Sequence, residues 1–372
     1  MPLMASPRRA ALSQAGTTMK LTAALHAALQ RAWQRKGMAS ALLLPLSALA
    51  RLAVARKQAR YRKNPSLSYR ASLPVIVVGN VYVGGTGKTP VVIELARALR
   101  ARGWNPGIIS RGYGAKIGDA PRTGQGTLPA TEFGDEPALI AASTQVPIAV
   151  HPNRPRALQA LQKAYPEVDV IIADDGLQHL ALARDIEIVV QDARGIGNGR
   201  MLPAGPLREP PRRLRRTDFL ITNLAPGETP PPAMATRGRQ IVMQLHPGTL
   251  EQLETGETQP WEDWLARHDT ASVAAVAAIG RPERFFAMLR HAGLTPDPSL
   301  PLPDHYAYKG AGPFTDIAAD AILITAKDAV KCARFHDPRL WVVHAATRFS
   351  DPHWVKEIDR RLRILATAPV RH

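Results

Sequence analysis

The sequence predicts a doubly wound parallel α/β sheet, followed by a smaller C-terminal α/β domain and preceded by a basic amphipathic helical arm. Three observations predict it. Residues 73–80, LPVIVVGN, form an apolar β-branched run that enters a glycine turn and then Lys88-Thr89. A second apolar run, residues 168–175, ends in two aspartates. Residues 1–70 hold 13 Lys and Arg and no Asp or Glu, whereas the other 302 residues hold 35 basic and 31 acidic side chains. The net charge of +17 therefore belongs mainly to the beginning of the chain, which points to a local anionic partner rather than a protein-wide nucleic-acid surface. At 372 residues and 45% hydrophobic content the chain is long enough for two α/β domains. Cys332 is the single cysteine, which excludes an internal disulfide framework and fits a reducing compartment.

Residues 1–18 are expected to be disordered, with Met19 an alternative start, and residues 19–70 to form the arm. MASALLLPLSALA, residues 38–50, carries no charge; Arg35 and Lys36 precede it, and Arg51, Arg56, Lys57, Arg60, Arg62 and Lys63 follow. A spanning helix needs about 20 apolar residues, so this block is too short to cross a bilayer. A basic helix with an apolar patch and Trp33 suits the headgroup layer of an anionic membrane. A signal cleavage site at residues 48–50 would leave far too long a leader. A transit peptide, or a helix packed on the main domain, are the other readings.

Residues 71–224 are expected to form the nucleotide domain. A standard phosphate-binding loop, G-x-x-x-x-G-K-[ST], would have its first glycine where Tyr82 stands. The glycines stand instead at Gly79, Gly84, Gly85 and Gly87. Pro90 suits a first helical turn, and Val92, Leu95, Ala96 and Leu99 recur on one helical face. Strand, glycine turn and helix are thus all present, which disfavours a chance Gly-Lys-Thr. Gly84, Gly85, Thr86 and Gly87 would curl backbone N–H groups around a phosphate, Lys88 would reach the β- and γ-phosphates of ATP, and the Thr89 hydroxyl would ligate Mg²⁺. The fold class is accordingly P-loop NTPase-like. Further strands are expected at residues 107–110, 147–150, 168–175, 186–190 and 219–222.

VDVIIADDGLQH, residues 168–179, has the form of a Walker B element, with Asp174 or Asp175 holding Mg²⁺ beside Thr89. A strand-end aspartate capping the next segment is the plainer alternative. Gln178 and His179 lie within reach of the same sheet edge. Loops after strands carry three more polar groups: SRGYG at 110–114, Asp135-Glu136 before a helix, and GPLREPPRRLRR with Arg208 and Glu209. No aromatics interleave the arginine run, which weakens a single-strand nucleic-acid reading. APGETPPPA, residues 225–233, marks a Pro-rich linker over 225–237, and residues 238–372 read as the smaller α/β domain.

In this order, GNVYVGGTGKTP, SRGYG, GDEP, DDGLQH, PAGPLREP and PDHY resemble the tetraacyldisaccharide 4'-kinase family of Gram-negative bacteria. The resemblance implies ATP- and Mg²⁺-dependent phosphorylation of the 4'-hydroxyl of a tetraacyldisaccharide 1-phosphate, giving lipid IV-A in lipid A biosynthesis, by a peripheral protein at the cytoplasmic face of the inner membrane. It further implies Asp135 as the catalytic carboxylate with His305 of PDHY as its partner, and Lys88 on the phosphates. Asp174 and Asp175 would form the Walker B pair, and Glu136, Arg154, Gln178, His179, Arg208 and Glu209 would serve substrate or phosphate. TAKDAVK, residues 325–331, resembles a family segment that reads T-E-K-D; Ala326 replaces the glutamate and is assigned no role. Domain closure is expected to bring Asp135 and His305 together. A monomer without nucleic acid is expected. The alternative is a membrane-associated regulatory or partitioning P-loop ATPase, against which Val83 stands in place of that group's signature lysine. A GTPase would need N-K-x-D, which neither TNLA nor TAKD supplies.

Overall fold

The computed structural model describes residue 33 and residues 35–304, 306–308, 312–332 and 334–367. The expected disordered segment 1–18 and His305 lie outside the described residues. The chain forms two compact units. The smaller holds the chain up to Ala59 together with Val81–Val83 and Ile196–Arg213; the larger holds Arg60–Asn80, Gly84–Gly195 and the chain from Leu214 onward.

The larger unit is built on one sheet of 13 strands. In chain order these are β1 (Val75–Gly79), β2 (Pro106–Ser110), β3 (Arg122–Gly124), β4 (Ile148–Val150), β5 (Val170–Asp174), β6 (Ile186–Asp192) and β7 (Phe219–Leu224). There follow β8 (Arg239–Gln252), β9 (Thr258–Pro260), β10 (Val273–Ala277), β11 (Ser299–Pro301), β12 (Ala321–Thr325) and β13 (Leu340–Phe349). Their spatial order is β11-β10-β12-β13-β8-β7-β6-β1-β5-β2-β4-β3, with β9 paired to β8. From β8 through β4 every neighbour is parallel. From β11 through β13 they are parallel again. The two parallel halves meet at a single antiparallel seam, β8 against β13.

The sequence explains this layout. β1, β5, β7, β10 and β12 are mainly apolar and buried along their whole length, as parallel strands covered on both faces must be. β8 is long enough, at 14 residues, to pair with β7 through residues 239–244 and with β13 through residues 243–252. It follows that the Pro-rich stretch 225–237 connects two adjacent strands of one sheet, within the larger unit. Helix Lys88–Arg100 buries Val91, Val92, Leu95, Ala96 and Leu99, the stripe expected from their spacing. Helix Pro282–His291 covers the other half with Phe285, Phe286, Met288 and Leu289. The three-residue strands β3, β9 and β11 have no sequence signal of their own.

In the smaller unit, helices Met38–Leu42 and Leu44–Lys63 begin the described arm, the second running on into the larger unit. The inward face is polar. Ser40 Oγ donates to the carbonyl of Ala204, and Ser47 Oγ to that of Met201 at 2.8 Å. Trp33 Nε1 reaches the Pro203 carbonyl at 2.9 Å, and Gln58 Nε2 reaches Glu209 Oε2 at 2.8 Å. Met38, Leu42, Leu46 and Leu49 instead face solvent, at 85%, 80%, 55% and 64% exposure. Apolar and basic residues are separated mainly along the helix: the leucines crowd its first turns, and Arg56, Lys57, Arg60, Arg62 and Lys63 its last. Among the described residues no helix is long and apolar enough to cross a membrane.

Candidate active site

The site lies in the larger unit, at the carboxyl ends of β1 and β5, which are direct neighbours. After Gly79 the chain leaves β1. A Cβ at Gly79 would come within 2.5 Å of Leu177 Cβ, so this glycine lets the DDGLQH turn pack against the strand end. The loop then turns through Gly84 and Gly87, whose φ values of 91° and 90° are natural only to glycine. Buried Asn80 braces it from within, donating to the Gly84 carbonyl at 3.0 Å and Thr86 Oγ1 at 3.3 Å. Asn223, at the end of β7, donates to the Thr86 carbonyl at 3.1 Å, and Arg194 to the Gly85 carbonyl at 2.9 Å. Helix Lys88–Arg100 then starts without a side-chain cap. Its first N–H groups and the positive end of its dipole are thereby directed toward an anion.

Lys88 Nζ lies 3.4 Å from Asp175 Oδ1, so the loop lysine meets the aspartate pair at the end of β5. Asp175 has a left-handed backbone, φ 47°, a conformation unusual for a non-glycine residue. Asp174 is buried and accepts from Ser110 Oγ at 2.9 Å. Burial foremost, then the charges of Glu136 and Asp175, push its carboxyl up to about 6 against the opposing pull of Lys88 and Ser110. Its Oδ1 is buried without a hydrogen-bond partner. A buried carboxylate oxygen lacking a partner, beside Asp175 at the end of the strand next to β1, whose loop leads to Thr89, belongs to a donor set that suits a hard divalent cation such as Mg²⁺.

Asp135 opens helix Asp135–Thr144. Gly134 before it has φ 93°, and a Cβ there would stand 2.5 Å from the Tyr113 carbonyl. The SRGYG and GDEP motifs are thus two sides of one backbone contact that fixes where Asp135 emerges. Its Oδ2 pairs with Lys331 Nζ at 2.6 Å. One turn away, Lys327 Nζ lies 3.2 Å from Asp304 and 3.7 Å from Glu136. Burial alone would lower the pKa of Lys327, but the charges of Glu136 and Asp304 outweigh it and hold it above its ordinary value. Helix Ala326–Cys332, which carries both lysines, is set by a reciprocal cap: the Asp328 N–H donates to Thr325 Oγ1, and the Thr325 hydroxyl donates to Asp328 Oδ2 at 2.6 Å. The two lysines stand four residues apart in TAKDAVK and so share one helical face. The sequence reading passed over them, together with Asn80, Asn223 and Arg194.

The other expected residues fall as follows. Arg154 is buried, and its guanidinium donates to the carbonyls of His151 and Asp174 at 3.0 and 3.1 Å, bracing the end of β5. His179 Nε2 accepts from the Arg154 N–H at 3.3 Å, and Gln178 Nε2 donates to the Asn80 carbonyl at 3.0 Å. Arg208 and Glu209 belong to the smaller unit. There the Arg208 N–H donates to the Val81 carbonyl at 2.7 Å, and Glu209 pairs with Arg213 at 3.5 Å. Among the described residues no group of three or more His, Cys, Asp or Glu has the geometry of a metal cage.

Fold and site together define a P-loop phosphotransferase: a glycine loop ending in Lys88-Thr89, an acidic pair beside it, and a further carboxylate, Asp135, held by Lys331. The comparisons narrow the class. Residues 39–363 match the family model described as tetraacyldisaccharide-1-P 4'-kinase, and the chain belongs to that family. It is 55% identical over 335 residues to the tetraacyldisaccharide 4'-kinase of Bordetella parapertussis, covering 90% of this chain and 96% of that protein. To that of Bordetella petrii it is 56% identical over 345 residues, covering 92% and 97%. The crystal structure of LpxK from Aquifex aeolicus in complex with ATP superposes with a TM-score of 0.74 at 27% identity, covering 88% of this chain and 99% of that one.

Proposed function

We propose that the chain transfers the γ-phosphoryl group of ATP to the 4'-hydroxyl of a tetraacyldisaccharide 1-phosphate, yielding lipid IV-A. The observation that carries this reading is that Lys88 of the loop meets Asp175 while Asp174 feels both Lys88 and Glu136 of the helix start at Asp135, in a chain belonging to this family.

A sugar hydroxyl is a weak nucleophile at neutral pH. Asp135 accepts its proton as the oxygen attacks the γ-phosphorus. The P-loop N–H groups and Lys88 hold the β- and γ-phosphates, and their charge offsets the negative charge carried by the transferring group. Thr89 with Asp174 or Asp175 would hold Mg²⁺, which would supply positive charge against that developing on the leaving ADP. Ser110 and Arg154 fix the end of β5, and with it the direction of both aspartates. The carbonyl of Asn80 orients Gln178 at the same edge. His305 partners Asp135, and Glu136, His179, Arg208 and Glu209 serve the acceptor or the phosphates in this reading.

The exposed leucines of the first helical turns and the basic turns behind them support a peripheral seat on an anionic bilayer, at the cytoplasmic face of the inner membrane. The deciding experiment is transfer of label from γ-labelled ATP to purified tetraacyldisaccharide 1-phosphate in neutral detergent micelles. Label in the lipid, lost in Lys88→Ala and Asp135→Ala, is the expected outcome. Hydrolysis of ATP without labelled lipid, indifferent to Asp135, overturns the proposal.

A further inference from the structure

The Pro-rich connection after β7 and the start of helix Pro282–His291 carry charges that the proposed chemistry does not use. At the carboxyl end of β6, Asp192 receives Arg194 edge-on, through Nε and Nη2 at 2.7–3.0 Å. Arg281 lies 3.3 Å from Asp192 and 3.1 Å from Glu228, and the other oxygen of Glu228 lies 3.2 Å from Arg284 Nη2. Arg284 donates in turn to the backbone carbonyl of Asn223 at 2.9 Å and to its side-chain Oδ1 at 3.3 Å. Asp192 is buried, and the side chains of Arg284 and Glu228 are only 17% and 20% exposed, so solvent screens these contacts weakly.

This circuit begins and ends on the phosphate loop. Arg194 Nη2 donates to the Gly85 carbonyl at 2.9 Å, and Asn223 Nδ2 to the Thr86 carbonyl at 3.1 Å. A trans peptide sets its carbonyl and the following N–H on opposite sides. Holding these two carbonyls therefore points the N–H groups of Thr86 and Gly87 away from both side chains. Successive N–H groups fixed in this way are the donors of a phosphate nest. Asn223 can hold the loop in one orientation only. Turned over, its amide would set two donors against the Arg284 guanidinium and an oxygen against the Thr86 carbonyl. Arg284 is aimed by Glu228, which also accepts from the Ala225 N–H at 2.8 Å and so is anchored where the chain leaves β7.

We propose that Arg284, aimed by Glu228, is a positioning residue for ATP: it sets the Asn223 amide, and the amide sets the loop peptide that donates to the phosphates. A residue that follows β10 thereby tunes nucleotide affinity through Asn223. The inference rests on the proposed use of this loop for ATP.

The test is equilibrium binding of a non-hydrolysable ATP analogue to the full chain, with steady-state transfer alongside. Arg284→Met is expected to raise Kd about tenfold, the worth of one hydrogen bond. KM for ATP rises with it, while kcat and KM for the lipid acceptor stay within about twofold, the pattern of lost uniform binding. Arg284→Lys, which keeps a donor for Asn223, restores most of the affinity. The decisive comparison is a double-mutant cycle with Asn223→Ala: once the amide is gone, Arg284→Met costs ATP affinity nothing further. Glu228→Gln keeps the shape of the side chain and is expected to raise Kd about threefold, which provides a second variant should Arg284→Met fail to fold. Unchanged ATP affinity in Arg284→Met, or in Glu228→Gln if the first does not fold, overturns the inference. Losses that add across the cycle, or that fall equally on ATP and acceptor, overturn it too, since they would report a loosened sheet edge. A wild type that binds no ATP analogue overturns the nucleotide reading and this inference with it. If the wild type binds ATP but transfers nothing to lipid, the kinase reading alone fails and the binding cycle still decides.

Discussion

Replacing Lys331 with Gln tests how the proposed base is held. The ion pair with Asp135 is short, 2.6 Å, and both side chains are largely withdrawn from solvent, at 16% and 15% exposure. Removing one partner from a fully buried pair costs about 3–5 kcal/mol, because the other charge is left without compensation. The residual exposure here reduces that to about 2–3 kcal/mol. Neutralising the survivor too should return most of the loss, so Lys331→Gln/Asp135→Asn should be more stable than Lys331→Gln alone. Chemical denaturation of the four species measures this coupling directly. In the transfer assay a carboxylate displaced by about 1 Å loses on the order of a hundredfold in kcat. KM for ATP should move little, since Lys331 pairs with Asp135 whereas the loop lysine Lys88 pairs with Asp175, and Lys331→Arg should recover most of the rate. A kcat for Lys331→Gln within a few-fold of wild type, or a double variant no more stable than the single, would refute the positioning argument.

Other outcomes follow from the same geometry. Gly87→Ala places a Cβ 2.1 Å from Asn223 Nδ2 in a left-handed backbone, so it should weaken ATP binding at least tenfold and lower the melting temperature. Gly85→Ala, with open space around it, should leave the melting temperature of the nucleotide-free protein unchanged; equal destabilisation by both substitutions would contradict this account of the loop. Asp192 is buried, which opposes its ionisation, but the hydrogen bonds and charge of Arg194 and the charge of Arg281 prevail and hold its pKa below the ordinary carboxylate value. Its contribution is therefore present above about pH 4, the unfolded value, and is lost as pH falls through the lower folded value. Denaturation measured against pH should show Asp192→Asn less stable than wild type near neutrality, with the difference shrinking toward pH 3; a constant difference would refute the assignment. Burial pushes the Cys332 thiol up to about 12, so thiol reagents at pH 8 should label the native protein only as fast as it unfolds.

Much of the site was legible because local chemistry dictates it. A β-branched run, glycines at the positive-φ positions and a helix-forming stripe require no partner to be read, and the P-loop follows β1 as the spacing predicted. Asp174 and Asp175 were equally plain, since a continuous apolar strand ending in two carboxylates has few other uses. What the sequence could not convey was the pairing of distant segments. Nothing near residues 225–237 signals that β8 pairs with both β7 and β13, because strand register is set by partners far along the chain. A proline-rich connection between adjacent parallel strands therefore resembles an interdomain linker.

The lysines of TAKDAVK illustrate a second limit. On its own, a seven-residue helix bearing Lys327 and Lys331 reads as a solvated charged face. Its meaning comes from Thr325 and Asp328, which cap the helix, and from the parallel run of β10, β12 and β13, which sets that helix start facing helix Asp135–Thr144. The sheet, continuous through the β8–β13 seam, thus delivers cations from the C-terminal half to carboxylates of the N-terminal half. The same principle, inverted, governs the arm. Serines face inward because the segment 196–213 presents carbonyls that need donors, which leaves the leucines outward. Periodicity alone would have buried the leucines. The partner's hydrogen-bonding demand, invisible along one segment of sequence, decides which face turns to solvent.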